Sequence, residues 1–548
     1  MEEVKASKTP KSALDVDVVT GEIVELHPDG NHAVRSKHGD YKRTISSTQI
    51  HVITLGSNIG SGLFIATGKG IANAGPLGAV IAYGLVASCV AAVLQVLGEM
   101  TIAFPTSGNF IDYADRFVDP SLAFAAGFAE WLGWCAVLGA EATFFSLIIS
   151  TWNSAFPEVA GVTIFIVGAI VLFSLPNRWF AWFEYFTSIL KVFAITLFLI
   201  LDFAIIFGAG PKGKVHHGET WNAGPVFKNG FNGFSTSSLL ALWAMSDQVF
   251  ITIMVGEAES PRYAMSRAAK TVPVRVALLY LLTITFSSLL ISPNDPRLFG
   301  GSAITQSPFT IALKDAGIHG LDQFLNVVIL ISCFGFGAES IYVASRILRA
   351  LSHQRLIPEF IARVDSRGRP IWSLIITGSI SIALTYLNFS TTGTTIFNWL
   401  VSITSSAFFT VWIIISITSF RFRAALKKQK DPLFKEVFAF RTWAWPLPTI
   451  WLLTCSVFLL VCCIYSGLYP LGSDKVSAYN FFQYMIGVVI VLVFSLAHKV
   501  IYRTKFRAAS EVDLQSGRRT LQEPEIAMLK RYYDQPAWRR ALTYVKFW

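Results

Sequence analysis

Twelve apolar runs, each about as long as a helix needs to cross the hydrocarbon core of a bilayer, leave this chain few ways to fold. They fall at residues 48–71, 77–104, 121–150, 160–176, 182–208, 234–257, 274–292, 321–345, 371–388, 395–420, 446–469 and 479–502. Inside lipid, every backbone N–H and C=O of such a run needs a partner from its own segment, and only a helix provides that. The expected fold class is all-α, a polytopic membrane protein with twelve transmembrane helices. Composition agrees: 53% of the residues are hydrophobic and 15% charged, far from the balance of a soluble domain.

The net charge of +10 reports topology and implies no nucleic-acid partner. Lys and Arg gather in alternate connections. Arg346, Arg349, Arg355, Arg363, Arg367 and Arg369 follow the eighth run, and Arg421, Arg423, Lys427, Lys428, Lys430, Lys435 and Arg441 follow the tenth. The other set of loops is sparse in them, so the positive-inside rule puts the basic loops and both termini in the cytosol. No cleavable signal opens the chain; the first helix is expected to serve as the targeting element. Cys89, Cys135, Cys333, Cys455, Cys462 and Cys463 all lie within apolar runs, which reads as buried thiols and as neither a disulfide framework nor a zinc site.

One run is interrupted. GSNIGSG at 56–62 sets three glycines, two serines and an asparagine inside an apolar helix, and each interior glycine costs about 1 kcal/mol relative to alanine. A break in lipid persists only where protein or a water-filled cavity covers it. Here it would expose the amides of Ser61 and Gly62 at the start of a half-helix, where the dipole favours a carboxylate. Carbonyls near Ser57 and Asn58 would be freed for an ammonium group. The same residues admit a second reading, because Gly56 and Gly60 form a GxxxG that packs helices closely. Transporters built from inverted repeats break one helix in each half at corresponding positions, so helix 6 is the test. It reads LWAMSDQVF, with Asp247 and Gln248 midway along an apolar run, where a carboxylate costs about 2.5–3.5 kcal/mol even on the lenient insertion scale. Such a carboxylate is functional by default, and Asp247 and Gln248 are read as substrate-binding; a structural pair with a neighbouring helix is the competing account of Asp247.

Four stretches carry a resemblance. They are ITLGSNIGSGLFIATGKGIANAGPLG; LGEMTIAFPTSGNFIDYADRFVDPSLAFAAG; GEAESPRYAMSRAAKTVPVRV followed by PNDPRL; and SIYVASRILRALSHQRLIPEFIARVDSRGRP. The sequence resembles the fungal amino acid permeases of the amino acid–polyamine–organocation superfamily, the yeast amino acid transporter family, over about residues 40–520. The resemblance implies a LeuT-like five-plus-five inverted repeat with two additional C-terminal helices. The division expected is a cytosolic tail over 1–47, without regular structure, a transport core over 48–420, a cytosolic loop over 421–445, helices 11 and 12 over 446–503, and a cytosolic tail over 504–548. It also implies that a substrate carboxylate meets the amides at Ser61 and Gly62, just after Gly60. The ammonium would meet carbonyls at Asn58, Trp243 and Ser246, with Trp243 as an aromatic gate. The family's usual Gly-Thr-Glu in helix 6 is replaced by Asp247, Gln248 and Val249, which leaves side-chain specificity open.

Lys191 in helix 5 matches a family lysine that stands where sodium-coupled relatives hold their ion, implying sodium-independent, proton-linked transport. The alternative is a helix-end lysine reaching back to the interface. Glu339 in helix 8 departs from the uncharged residues of the family, and two roles are open to it, a pair with Lys191 or a wall of the substrate pocket. Glu141 matches a family glutamate. Glu99 and Arg116 read as inner-gate or loop residues, Glu130 as a residue near an interface. With no GxxxxGK[ST] and no plausible catalytic set, an ATPase or membrane enzyme is not expected. The reading is a plasma-membrane permease importing amino acids by alternating access, with no cofactor beyond a coupling proton. A receptor that keeps the pocket and has lost turnover is the alternative. Expected partners are an amino acid, the lipid bilayer and cytosolic regulators acting on the tails.

Overall fold

The computed structural model describes residues 14–17, 22–26, 32–36, 46–57, 59–106, 108–246, 248–256, 258, 260–298, 307–365, 368–386, 393–436, 438–442, 444–472, 476–519, 521 and 523–545. Among them, nine helices are long and apolar enough to cross a membrane, and Glu158–Ser174 and Ile371–Tyr386 are shorter apolar helices. The twelfth comes from dividing the longest. Gly62–Ala103 has 42 residues, about 63 Å at 1.5 Å per residue, twice the hydrocarbon thickness of about 30 Å. It turns at Gly75, with φ 75° and ψ 174°, a conformation that favours glycine. Pro76 follows without an amide to carry the helix across. The amides of Leu77 and Gly78 donate to the Val226 carbonyl at 3.1 and 3.4 Å.

Helix 1 is thus Ser47–Gly56 plus 61–74, and helix 2 is 76–103. Helices 3, 4 and 5 are Pro120–Ser150, Glu158–Ser174 and Asn177–Ile206. Helix 6 is Gly230–Met245 plus Gln248–Gly256, and helices 7 and 8 are Pro261–Leu290 and Leu321–His353. Helices 9 to 12 are Ile371–Tyr386, Gly393–Gln429, Leu447–Leu468 and Ala478–Tyr502. Three of them clearly outrun their apolar spans, helix 8 by continuing past 345 to His353. Helix 7 begins at Pro261, not 274, with Arg262, Arg267 and Lys270 in its first turns. Helix 10 runs past 420 to Gln429 and carries Arg421 and Arg423 beyond its apolar stretch. An apolar run marks only the part of a helix that needs lipid, and a polar extension continues wherever protein takes it up.

The N-terminal tail departs from the unstructured expectation. Leu14–Asp17, Glu22–Leu26 and His32–Ser36 form an antiparallel sheet in chain order, with Val16 opposite Ile23 and Val24 opposite Val34. Alternating β-branched and charged residues in LDVD, EIVEL and HAVRS are the local signal for it.

The helices pack as an inverted repeat requires. The second half of helix 1 lies against the first half of helix 6, helix 3 against helix 8, and helix 2 against helix 7, where Tyr83 and Tyr280 rings are 6.1 Å apart. Corresponding members of the two halves therefore meet near the centre. Helices 11 and 12 pack on helix 10 and each other, helix 11 also on helices 2 and 6 and helix 12 on helix 3. The six cysteines are buried and free.

Candidate functional site

Helix 1 ends its first half at Gly56, and Ser57 turns out of the helix at φ −58° and ψ 151°. The second half starts at Ser61 and opens with a π turn over Gly62–Ala66, the amides of Leu63 and Phe64 both donating to the Gly60 carbonyl at 3.2 Å. Each glycine of the stretch faces a close neighbour. A Cβ on Gly56 would stand 2.5 Å from Ser188 Cα of helix 5, one on Gly60 3.1 Å from Phe336 of helix 8, and one on Gly62 2.9 Å from Ala244 of helix 6. Break and close packing, posed as alternatives by the sequence, are both present.

Both ends of the break hold a charge. On the amide side, Ser61 donates through its hydroxyl to Glu141 of helix 3, and its N–H reaches the same carboxylate at 3.4 Å. On the carbonyl side, Arg275 of helix 7 donates to the Ser57 carbonyl at 2.8 Å and to its hydroxyl at 3.3 Å. The position expected for a substrate carboxylate at Ser61 is thus shared with Glu141. Asn58 lies outside the described residues.

Helix 6 breaks at the matching place. Its first half stops at Met245 and Ser246 leaves the helix at φ −94° and ψ 67°; Asp247 lies outside the described residues. Local groups answer several freed carbonyls: Tyr280 Oη donates to Ala244 at 2.5 Å, Gln248 Nε2 to Met245 at 2.7 Å, and Ser246 Oγ to Leu242. The carbonyls of Trp243 and Ser246, expected to take an ammonium, lie among these on the same stretch of chain. Ser57, Ser61, Trp243, Ser246 and Gln248 are all buried, so both breaks lie inside the protein.

One turn of helix 8 away lies a buried charge cluster. Lys191 Nζ stands 3.7 Å from Glu184 Oε2 and 3.9 Å from Glu339 Oε1, with all three side chains 0% exposed. A Cβ on Gly335 would come within 2.8 Å of that ammonium. Complete burial removes the interfacial reading of Lys191. Glu339 faces the ammonium, and Glu184, which the sequence reading passed over, completes the set.

The amino acid permease family model matches residues 49–511. The chain belongs to the amino acid permease family. An amino-acid permease of Candida albicans is 33% identical, covering 88% of this chain and 81% of its own. The tryptophan permease of Saccharomyces cerevisiae is 32% identical over 91% and 85% of the two chains, and the general amino-acid permease of the same yeast 30% over 89% and 82%. Among solved structures, a closed nucleobase-cation-symport-1 transporter, MHP1, with bromovinylhydantoin bound covers 88% of this chain and 96% of that one, at 15% identity and a TM-score of 0.45. By its family, this permease is an amino acid transporter and not an enzyme.

On the face that holds the C-terminal segment, a clasp joins helices 2 and 10. Glu99 at the end of helix 2 accepts two bonds of 2.6 Å from Arg423 of helix 10 and one of 2.8 Å from the Thr442 amide. Arg423 lies over the rings of Phe434 and Trp445. Arg116 donates to the Ser516 carbonyl at 2.7 Å. Glu130, expected near an interface, is instead buried at 2% exposure and accepts from Trp134 Nε1 at 3.0 Å. Its partner one turn along the same helix makes the interior position tolerable. His217 is exposed and His216 pairs with Glu219 at 3.2 Å, in keeping with a surface loop.

Arg275 is, with Glu184, a site residue that the sequence reading missed. It stands at the edge of an apolar run placed at 274–292, where an arginine reads as a flank. The signal available was that helix-1 carbonyls freed by a break require a donor.

Proposed function

We propose that this permease imports amino acids across the plasma membrane by alternating access, driven by protons, with both termini in the cytosol. The observation that carries the reading is the meeting of two helix breaks, Gly62 of helix 1 against Ala244 of helix 6, whose peptide dipoles suit a zwitterion. The first break already holds one anion, Glu141, and one cation, Arg275, the two charges that an amino acid backbone brings together. Substrate binding in this reading competes with Glu141 for the Ser61 end while the helix 6 carbonyls take the ammonium. Asp247 and Glu339 together would favour a substrate with an extra positive charge, but Glu339 faces Lys191, and a neutral amino acid fits equally well. The membrane potential supplies about 2.3 kcal/mol per proton at 100 mV.

The test is uptake into cells or proteoliposomes of each common amino acid in labelled form, at two external pH values and with or without sodium. Accumulation that rises at the lower pH and ignores sodium supports the proposal. Flat uptake across pH removes the proton, and binding without accumulation replaces the carrier by a receptor.

A further inference from the structure

We propose that the groove between helices 4 and 9 is a binding site for one acyl chain of a membrane phospholipid. The two helices run side by side in opposite directions and are tied at their ends. At one end the hydroxyls of Thr163 and Tyr386 are hydrogen-bonded at 2.7 Å. At the other, Arg369 donates to the Ser174 carbonyl at 2.6 Å and to the Phe173 carbonyl at 3.3 Å. Between these ties lies a groove of about 490 Å³. Its floor comes from Leu138 of helix 3 and Ile341 of helix 8, 1% and 8% exposed, and its rim from Ile170 and Ile375, each 53% exposed.

The sequence makes both walls apolar along one helical face. Helix 9 lines the groove with Ile371, Leu374, Ile375, Gly378 and Ile382, and helix 4 with Ile166, Ala169, Ile170 and Phe173, at the three- and four-residue spacing that keeps side chains on one side. Leu138, Ile166 and Ile341 belong to a small apolar cluster of their own, with Leu374 and Ile382 packed against it. The wall is hollowed at Gly378, where a Cβ would have nothing within 4 Å.

Position, length and charge select the occupant. Helices 3 and 8, which form the floor, are long and apolar enough to cross a membrane, and helices 4 and 9 are apolar, so the rim opens to hydrocarbon. An unfilled apolar hollow forfeits the dispersion contacts of its lining, and the chains that can supply them surround it. From Ile371 to Ile382 helix 9 rises about 16 Å, about one leaflet of a hydrocarbon core about 30 Å thick. The polar end is basic: Arg369 lines it, paired with Asp365 at 2.9 Å, and Arg178 and Arg363, in the two connections that Arg369 joins, are exposed. Trp179, Trp182 and Trp372 are exposed at the same end, as residues at a membrane interface are. Arginines there suit the phosphate of a phospholipid, whereas a sterol brings only a neutral hydroxyl.

The experiment reconstitutes the full-length permease in vesicles of dioleoyl phosphatidylcholine doped with phosphatidylcholine that carries a diazirine midway along one acyl chain. After illumination, labelled peptides are mapped by mass spectrometry. Segments 166–174 and 371–382 are expected to take severalfold more label than the lipid-facing strip of helix 12 at Leu492, Val493 and Leu496, all exposed. Gly378→Leu fills the hollow from its own wall and is expected to abolish that excess while leaving the helix 12 label unchanged. If this variant is not monodisperse in detergent, Ser379→Leu, beside it on the same groove, takes its place, and the wild-type pattern decides in either case. Equal labelling of groove and helix 12 in the wild type, or an excess that both variants keep, overturns the site. Labelling of the two segments by a diazirine sterol that phosphatidylcholine does not displace assigns the groove to a sterol. Absence of label from both lipids shows it covered by another chain, and either result overturns the phospholipid.

Discussion

Gly56 has no room for a methyl group. A Cβ there would lie 2.3 Å from Ser188 Cβ and 2.5 Å from its Cα, and backbone cannot rotate aside as a side chain can. Overpacking of this kind costs about 1–3 kcal/mol. Gly84, in helix 2, is the matched control, since its Cβ would meet only Leu281 Cδ2 at 3.9 Å, and alanine there gains helix propensity. Gly56→Ala is expected to lower the thermal unfolding midpoint of the purified permease and Gly84→Ala to leave it equal or higher; equal loss in both would show that propensity or lipid contact decides, and not the approach of helix 5. At this scale the sequence was legible wherever lipid itself penalises a residue. Lys191 and Glu339 stand out as charges in apolar runs, and the glycine stretch as a break. What they touch was not legible, because it depends on which helices meet. Glu184 precedes Lys191 by seven residues, two turns along one face, yet its place near the start of helix 5 disguised it as an interfacial residue. The roles of Asn58 and Asp247 fall outside the described residues.

Between helix and loop, the PNDPRL turn after helix 7 shows how a legible motif acquires a partner only in the fold. Arg297 bonds Asp295 at 3.0 and 2.7 Å and Asp315 at 2.8 and 2.7 Å, pinning the short helix Pro308–Asp315. That helix covers the second half of helix 1: Ser307 Oγ donates to the Phe64 carbonyl at 2.6 Å, and the Phe64 and Phe309 rings are 6.1 Å apart. The bonds from Arg297 hold the Asp295 carboxyl below the ordinary aspartate range. A carboxylate depressed in the folded state contributes stability that is present above its unfolded pKa and lost as pH falls through the depressed value. The clamp therefore persists across neutral and mildly acid pH and weakens only below about pH 4. Acid-stimulated uptake between about pH 5 and 7 cannot arise from it. Arg297→Gln is expected to speed amide exchange in 308–315 while the pH profile of uptake above about pH 5 keeps its shape; a profile that flattens in this variant would move the pH response from the membrane interior to this outer turn.

Over the whole molecule, the bilayer dictated twelve helices and their breaks, but it says nothing about segments outside it. The C-terminal segment is the clearest case. It reads as a tail, yet it runs across the ends of several helices and answers their orphan carbonyls, which every helix terminus leaves behind. Arg507 N donates to Val118 O at 2.9 Å and Arg519 N to Ala103 O at 3.1 Å, while Gln429 Nε2 donates to Val512 O at 2.7 Å. Leu514 and Leu529 are buried. These partners come from helix 2, the 2–3 connection and helix 10, so no local pattern in 504–548 announces them. The anchor is Arg518, which donates to both oxygens of Asp431 at 2.9 Å and to Glu436 at 2.5 Å, with the Arg518 and Asp431 side chains 8% and 4% exposed. Removing one partner of a buried pair leaves the other charge uncompensated, at about 3–5 kcal/mol. Arg518→Ala is thus expected to lower the unfolding midpoint and let protease release the segment beyond helix 12. Asp431→Asn should cost less, because Arg518 retains Glu436. The double variant should be more stable than Arg518→Ala alone, since it removes the orphaned carboxylate along with its partner. If the two losses simply add, the aspartate was already solvated, and the segment is held by its backbone bonds and buried leucines.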